Sequence, residues 1–411
     1  MVEAHISERF AGEIQGKEVI GHSGLPQEAL QRSSAFGSVY AGKKVFVTGH
    51  TGFKGSWLCE WLLLLGAKVF GYSIDCPEPS LFSQLQLHKR VHDTRGDVRD
   101  LQALREAISS VKPEFVFHLA AQSLVRQSYA DPVGTFTTNV AGSVNVMEAV
   151  RMTLDRCVLI MVTSDKCYKN SERHRAYRET DPLGGHDPYS ASKAAAEAAI
   201  AAYRDSFFLA GQSPARIAIA SARAGNVIGG GDWANDRIVP DCIRALQRSE
   251  PIRVRNYSST RPWQHVLEPL SGYLLLGQKL WDKISKENIE QTGFRQLASA
   301  FNFGPMPGSA RTVRDLVTEV LRYWPGKWID QAEPSAPHEA QCLNLSIDKA
   351  IHLLGWRPVW DFNRALAETV VWYRAAQSQT NNELLQLTQK QITDYTSDAV
   401  ISGSCSKSKV D

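Results

Sequence analysis

The stretch "KKVFVTGHTGFKGSW", residues 43–57, decides the fold. It begins as an apolar run, which predicts a buried strand, and continues into an apolar helical segment. Between the two lie Gly49, Gly52 and Gly55, spaced three apart, with Phe53 among them. Glycines at a strand-to-helix turn let the backbone approach a pyrophosphate, which then lies on the N–H groups at the start of the helix. Because the triplet sits between a strand and a helix, the stretch predicts a dinucleotide-binding turn.

Strand-like and helix-like segments alternate on the carboxyl side of this turn. Helical segments rich in Ala, Leu and Glu have the length of crossover helices. The further β-rich runs lie at 67–74, 89–97, 114–121, 156–164 and 215–225. Such alternation is typical of an α/β protein with a doubly wound parallel sheet, the Rossmann arrangement.

The pattern changes along the chain and predicts four segments. Residues 1–40 are polar and are expected to form a poorly ordered extension. Residues 41–225 form the nucleotide-binding domain, which also carries the catalytic residues. Residues 226–375 form a smaller mixed α/β lobe, mainly for substrate binding. Residues 376–411 lack sustained periodicity and end in a Ser-rich stretch, so we expect a disordered tail.

Composition and charge exclude several classes of partner. The 411-residue chain has a formal net charge of +3, spread along its length, so neither nucleic acid nor a membrane surface is an expected partner. Its seven cysteines are widely spaced and show no C-x-x-C pairing, which predicts free thiols and no metal site. The first residues lack the apolar region of a secretory signal. We therefore expect a cytoplasmic protein.

An acidic residue indicates which dinucleotide is bound. Asp75 ends the second predicted strand, about 20 residues beyond Gly55, where a carboxylate accepts hydrogen bonds from the adenosine ribose hydroxyls. A carboxylate at this position repels a 2′-phosphate. The sequence therefore predicts NAD as the cofactor, in preference to NADP.

Two further strand ends are expected to contact the cofactor. Asp97 and Val98 close the third strand and are expected to flank the adenine, although Asp97 is equally placed to cap the next helix. Leu119, Ala120 and Ala121 close the fourth strand, and the small alanines permit close approach of the cofactor.

Proton-transfer groups follow the fifth strand. The apolar run "CVLIMV" leads directly into Ser164, Asp165 and Lys166. About 25 residues later, Tyr189 and Lys193 lie four apart in an Ala-rich helix and hence on one face. An ammonium beside a phenol lowers the phenol pKa, so Tyr189 is expected to act as a general base. A hydrogen bond from Ser164 to the tyrosine and to a substrate hydroxyl would complete the group.

Together these motifs resemble the extended short-chain dehydrogenase/reductase family, which acts on nucleotide sugars. Within it, "TSDKCY", "RAGNVIGGGDW", "DRIVPD" and "RPWQHVLEPLSGYL" closely resemble the CDP-glucose 4,6-dehydratases. The match covers roughly residues 43–375. The resemblance implies NAD-dependent conversion of CDP-D-glucose to CDP-4-dehydro-6-deoxy-D-glucose and water. The reaction proceeds by oxidation at C4, elimination across C5 and C6, and return of the hydride to C6.

The resemblance also implies roles for individual residues. Asp165 would protonate the departing C6 hydroxyl, and Lys166 would occupy the place of the C5 base. Lys166 acts as a base only if its amine is neutral; if charged, it would stabilise the enolate oxygen at C4. A structural alternative is that the two form a solvated ion pair in a loop. The residues implied in substrate binding are Gln122, Asn226, Arg237, Arg261 and His265.

Other readings remain open at this point. A dTDP- or GDP-sugar 4,6-dehydratase would share the same motifs, and a 4-epimerase would use the same Ser, Tyr, Lys and NAD without the Asp-Lys pair. A non-catalytic NAD-binding sensor would be expected to lose Tyr189 or Lys193. The family further implies a homodimer built on helices near 137–153 and 189–210, and a place in deoxysugar biosynthesis for the O-antigen of lipopolysaccharide.

Overall fold

The computed structural model describes residues 35–170, 175–208, 215–286, 291–331 and 343–403. The strands are β1 Lys44–Thr48, β2 Lys68–Ser73, β3 His92–Arg95, β4 Phe115–His118, β5 Arg156–Val162, β6 Arg216–Ala224, β7 Val227–Ile228, β8 Ile252–Val254, β9 Thr260–Arg261, β10 Gln264–His265, β11 Ala300–Phe303, β12 Arg311–Thr312 and β13 Trp328–Asp330. The α-helices are α1 Phe53–Leu64, α2 Leu81–Gln84, α3 Leu101–Val111, α4 Val125–Ala130, α5 Pro132–Phe136, α6 Gly142–Thr153, α7 Pro188–Tyr203, α8 Ile238–Gln247, α9 Leu267–Ile284, α10 Gln291–Leu297, α11 Val313–Tyr323, α12 Phe362–Ser378 and α13 Asn381–Ile401. Short 3₁₀ or π turns lie at Ala35–Ser38, Leu87–Lys89, Thr137–Ala141, Asp165–Cys167, Arg204–Phe208 and Ala350–Leu354.

Seven strands form one parallel sheet in the order β3-β2-β1-β4-β5-β6-β11. The chain builds outward from β1 to β3 and then returns to the other side of β1 to form β4. This reversal opens a crevice at the carboxyl ends of β1 and β4, where ligands of doubly wound sheets bind. The predicted α/β fold with a doubly wound parallel sheet is confirmed.

Alternating side chains of the central strands fill two cores, one on each face of the sheet. In β1, Val45 and Val47 belong to one core and Phe46 to the other. Helices α1 and α9 cover the first face, and α3 and α6 cover the second. Burial on both faces explains why the central strands are continuous apolar runs.

The predicted boundary at residue 225 does not divide the sheet. Strand β11, expected to belong to a separate lobe, pairs in parallel with β6 and forms an edge of the main sheet. Phe301 and Phe303 on β11 are buried in the same core as α1. The reason is that β6 would otherwise leave its backbone hydrogen-bonding groups unpaired along an edge.

The predicted disordered tail is wrong for residues 376–403. Helix α12 runs to Ser378, and α13 follows it after a turn. Helix α13 buries Ile392 and Tyr395 in the core, because these residues lie on one face of the helix. Residues 404–411 lie outside the described part of the chain.

Order also begins before the predicted start at residue 41. Tyr40 is buried, and its hydroxyl donates a hydrogen bond to the carbonyl of Leu274 in α9 (2.7 Å). Residues 1–34, the rest of the predicted extension, lie outside the described part. Within the described ranges, no helix is both long and apolar enough to cross a bilayer.

Candidate active site

The glycine turn lies at the switch point of the sheet. Gly49 adopts a φ of +73°, and a Cβ there would lie 2.7 Å from the backbone nitrogen of Ala120. The backbones after β1 and β4 are therefore in contact, and a side chain at position 49 would not fit between them. Helix α1 begins after Gly52, whose position provides no side-chain cap. The first N–H groups of α1 are thus left for an anion.

Asp75 lies just beyond β2 and is exposed. The hydroxyl of Thr51, in the glycine turn, donates a hydrogen bond to the Asp75 carbonyl (2.7 Å). The backbone of the residue predicted to contact a ribose is therefore tied to the turn predicted to hold the pyrophosphate.

The alternative role of Asp97 as a helix cap is wrong. Helix α3 is capped by Asp100, whose carboxylate accepts a hydrogen bond from the N–H of Ala103 (3.0 Å). The Asp97 carboxylate instead pairs with the guanidinium of Arg99, which holds the pKa of Asp97 below its usual range. Val98 is buried beside it. The contact of Asp97 and Val98 with adenine stays a prediction.

The segment after β4 is anchored on both sides. Ala120 donates its N–H to the hydroxyl of Thr48 (3.3 Å), and the backbone of Leu119 lies against Gly49. The amide of Gln122 donates to Thr135 (2.9 Å) and accepts from the N–H of Leu124 (2.5 Å). These internal bonds orient Gln122, and its contact with a sugar stays a prediction.

The predicted acid/base pair, Asp165 and Lys166, lies in the turn Asp165–Cys167, shortly after β5. Ser164 donates to Oδ1 of Asp165 (3.0 Å) and accepts from the N–H of Lys166 (3.2 Å). Asp165 is buried, and burial raises the pKa of its carboxyl although Lys166 and Ser164 act to lower it. A raised carboxyl pKa favours the protonated form that a general acid needs. The alternative of a solvated pair is wrong for the Asp165 member.

Tyr189 and Lys193 lie one turn apart near the start of α7, and both are buried. Ser164 acts to lower the pKa of Tyr189, so the tyrosine lies close to the turn that holds the predicted acid/base pair. Burial raises the pKa of Tyr189 to about 12 and lowers that of Lys193 to about 8, although Glu197 acts to raise the latter. The predicted lowering of the tyrosine pKa is therefore wrong here. Burial, together with the negative charges of Asp165 and Asp187, disfavours the phenolate more than Ser164 and Arg237 favour it.

The sequence interpretation missed Lys54, which lies between two of the glycines. It is half-buried at the start of α1 and interacts electrostatically with Asp165, Lys193 and Arg237. Burial lowers its pKa to about 8, and the positive charges of Arg237 and Lys193 lower it further. A lysine inside a glycine-rich turn was the available signal, since such a side chain has to point from the turn into the crevice or into solvent.

Three of the predicted substrate residues lie near this group. Arg237 pairs with Asp232 (2.8 Å), donates to Ser123 (3.1 Å), and acts electrostatically on Tyr189. The positive charge of Arg261 acts to lower the pKa of Asp165. Asn226 lies between β6 and β7, and its carbonyl accepts a hydrogen bond from the N–H of Gln264. The partner Asp232 was not predicted.

His265 is not placed to contact a substrate. It is completely buried, with its ring 5.8 Å from that of Trp57 and 5.0 Å from that of Trp360. Burial lowers its pKa to about 3, so the ring is neutral. The prediction of a substrate contact is therefore corrected to a core position, imposed by two tryptophans distant in the sequence.

Comparisons with known proteins agree with this arrangement. The family model described as GDP-mannose 4,6 dehydratase matches residues 46–369. A CDP-glucose 4,6-dehydratase of Salmonella typhimurium is 44% identical over 366 residues, covering 87% of this chain and 97% of that protein. The NAD complex of UDP-glucose 4-epimerase from Thermus thermophilus has a TM-score of 0.67 at 26% identity, covering 81% of this chain and 99% of that chain.

A second solved structure shares the fold at lower identity. The dTDP-glucose 4,6-dehydratase of Bacillus anthracis, in complex with NAD, has a TM-score of 0.65 at 18% identity, covering 84% of this chain and 100% of that chain. Because the family model spans most of the chain and the Salmonella protein is similar over nearly its whole length, the resemblance to nucleotide-sugar dehydratases is confirmed: this chain belongs to the GDP-mannose 4,6 dehydratase family.

Proposed function

We propose that this chain is an NAD-dependent lyase that converts CDP-D-glucose to CDP-4-dehydro-6-deoxy-D-glucose and water. One observation carries the proposal: Ser164 hydrogen-bonds to the buried Asp165 (3.0 Å) and also acts to lower the pKa of Tyr189, so a buried acid adjoins the residues assigned to oxidation. An epimerase needs no such acid. The likeness to the Salmonella CDP-glucose 4,6-dehydratase supports CDP-glucose over dTDP- or GDP-sugars.

The residues around the switch point fit NAD. The uncapped start of α1 after Gly52 suits the pyrophosphate, and Asp75 suits the adenosine ribose. Gly49, Gly55, Phe53 and the segments 97–98 and 119–121 complete the proposed cofactor site. NAD supplies a hydride acceptor for C4 and a hydride donor for C6, and its positively charged ring favours a nearby phenolate.

In the proposed oxidation step, Tyr189 takes the proton of the C4 hydroxyl. Ser164, directly before the turn Asp165–Cys167, acts to lower the pKa of the tyrosine. Lys193, one turn along α7, supplies an ammonium that favours the phenolate while it remains protonated. The C4 ketone that results makes the C5 proton acidic.

In the proposed elimination step, the C5 proton is removed and the C6 hydroxyl leaves as water with a proton from Asp165. Lys166 is assigned to the C5 side, either as the neutral base that takes the C5 proton or as an ammonium that stabilises the C4 enolate while another group or water takes that proton. A hydride then returns to C6 and a proton to C5, which balances the reaction. Asn226, Arg237 and Arg261 are assigned to the diphosphate and the nucleotide, and Gln122 to the sugar.

We also propose a homodimer, formed through α6 and α7. Met152 on α6 and Phe207, just beyond α7, are large apolar side chains with 50% and 43% exposure, which supports an interface there. Residues 209–210 of the predicted interface lie outside the described part. Light scattering at micromolar concentration tests this, and a monomer would contradict it.

The cellular setting is likewise a proposal. Five of the cysteines, at positions 59, 76, 157, 167 and 242, are free thiols, which is typical of a reducing compartment and supports the cytoplasm. The product would serve deoxysugar biosynthesis for the O-antigen of lipopolysaccharide. Fractionation of cells and analysis of their lipopolysaccharide after deletion of the gene test the two parts.

A panel of nucleotide hexoses tests the activity. Incubation of CDP-, dTDP-, GDP- and UDP-glucose with the protein and NAD, followed by mass spectrometry, should show loss of one water from CDP-glucose. A product of unchanged mass with inverted C4 would favour a 4-epimerase instead. No change in any substrate would contradict an enzymatic role.

A further inference from the structure

A buried ion pair lies behind the proposed catalytic residues without taking part in the chemistry. Nη2 of Arg223, on β6, donates to Oε2 of Glu197, on α7, over 2.7 Å. Their side chains are only 4% and 3% exposed. A buried ion pair is weak evidence of stabilisation, because the loss of hydration offsets much of the attraction between the charges. Its connections therefore indicate its role better than its presence does.

Glu197 connects the pair to the oxidation residues. It lies four residues after Lys193 in α7, hence one turn further along the same face. Its two carboxylate oxygens also accept hydrogen bonds from Thr163, just after β5, and from Ser221 (2.8 Å) on β6. The helix that carries Tyr189 and Lys193 is thereby fastened to the ends of two strands.

Arg223 connects the pair to the acid/base turn. Its Nη1 donates to the hydroxyl of Tyr168 over 2.8 Å, and its guanidinium lies 5.0 Å from the centre of the tyrosine ring. The Tyr168 hydroxyl in turn donates to Oδ1 of Asn302 on β11 (2.7 Å). Tyr168 directly follows the turn Asp165–Cys167, so a fixed tyrosine fixes the end of that turn.

We propose that Tyr168, through Arg223 and Glu197, is a positioning residue that holds the Asp165–Lys166 turn in register with Lys193. The inference rests on the proposed function. It gives this network a role in the elimination step, although none of its residues contacts a reacting atom. Oxidation at C4 uses Tyr189 and Lys193, which α7 already carries together. Elimination additionally needs the turn at the correct distance from them, so it depends more on this network.

Tyr168→Phe tests the inference with little disturbance of the core. The ring remains stacked on Tyr177, with centres 5.2 Å apart, and only the hydroxyl is lost. A shift of the turn by a fraction of an ångström is expected to slow elimination about tenfold or more. The first hydride transfer should stay within about twofold of wild type. In a single turnover with CDP-glucose, NADH absorbance should therefore rise and persist in the variant.

Tyr177→Phe is the matched control. It removes a hydroxyl from the other ring of the same stacked pair, and that hydroxyl donates to Asn170 (3.0 Å), outside the network. This variant should show the NADH time course of wild type. If both variants retained NADH equally, a general loosening of the cluster would explain the result and the inference would be overturned.

Hydrogen exchange provides a readout that does not depend on the reaction. The amides of Lys166 and Cys167 bond to Ser164, and that of Lys169 bonds to Pro182. Tyr168→Phe should speed exchange across 165–169 but leave α7 unchanged. If Tyr168→Phe left hydrogen exchange unchanged and also showed the wild-type rates of hydride transfer and elimination, this inference alone would be overturned. A wild-type protein that releases no water from any sugar nucleotide would overturn the proposed function and this inference together.

Discussion

Gly225 leaves the space in which the carboxylate of Asp165 lies. A Cβ atom on Gly225 would be 3.0 Å from Oδ2 of Asp165 and 3.5 Å from Pro262. Gly225 directly follows β6, the neighbour of the strand that leads to Asp165. The position of the proposed acid therefore depends on a missing side chain at the next strand end.

Gly225→Ala should slow elimination about tenfold, because the added methyl group forces the Asp165 carboxylate to move by a few tenths of an ångström. Hydride transfer to NAD should be nearly unchanged. Stopped-flow absorbance of NADH separates the two steps. Gly304→Ala is the control: Gly304 directly follows β11, and its Cβ would meet nothing closer than 3.5 Å. Equal slowing of both steps in Gly225→Ala would contradict the assignment.

Asp165→Asn should stop the reaction after the first hydride transfer. An amide cannot protonate the leaving hydroxyl, so NADH should accumulate beside a 4-keto sugar that keeps its C6 oxygen. In wild type, elimination should slow as pH rises through the raised pKa of Asp165, since only the protonated carboxyl donates. Mass spectrometry of quenched samples identifies the sugar. Dehydrated product at the wild-type rate would refute the role of Asp165.

Tyr189→Phe should fail earlier in the reaction. Without the phenol, hydride transfer should fall by roughly two to four orders of magnitude, the usual effect of losing a positioned acid or base. Binding of the sugar nucleotide, measured by calorimetry, should survive. Rapid NADH formation in a single turnover of this variant would be incompatible with the proposed base.

Asp75→Ala should weaken NAD binding and improve NADP binding. Asp75 is exposed just beyond β2. Its backbone carbonyl, which the substitution retains, accepts a hydrogen bond from Thr51 in the glycine turn. The loss should therefore come from the ribose contact alone. Fluorescence titration with both dinucleotides measures the change in preference. Unaltered affinities would show that another group selects the cofactor.

Strand alternation predicted the parallel sheet correctly for a physical reason. Carboxyl ends of parallel strands meet at one edge, so Gly49, Ala120 and Ser164 had to lie near one another once the order of strands followed the doubly wound pattern. The sequence around each of these residues predicts only that it follows a strand; their proximity follows from the order of the strands.

What the sequence did not predict depends on contacts between distant segments. His265, on β10, lies only four residues after Arg261, on β9, and only the packing of Trp57 and Trp360 around it distinguishes a core ring from a ligand contact. The sequence of helix α13 is largely polar, so its narrow apolar face is not evident from the pattern. Its burial depends on α1 and α9, far away in the chain.

Glu268 joins α13 to the core and gives stability a pH dependence. It is fully buried on α9 and accepts hydrogen bonds from the N–H groups of Val359 (3.1 Å) and Trp360 (2.6 Å) and from the Tyr395 hydroxyl (2.6 Å). Burial raises its pKa to about 7 from an ordinary value of 4.5, although these bonds act to lower it. The folded protein thus holds a proton that the unfolded chain releases at lower pH.

Glu268→Gln should therefore flatten the dependence of stability on pH. Between about pH 4.5 and 7, folding of wild type binds this proton, so its contribution to the unfolding free energy is full below pH 4.5 and falls as pH rises, by roughly 3 kcal/mol in total. Urea unfolding at pH 5 and at pH 7.5 measures the difference in each protein.

The glutamine variant should be less stable at pH 5, because its amide cannot accept all three hydrogen bonds, yet it should lose less stability on going to pH 7.5. Glu106→Gln, on the exposed face of α3, should keep the wild-type slope. If the Glu268 variant kept that slope as well, the proton would reside elsewhere, and the attachment of α13 would not depend on the charge of this carboxyl.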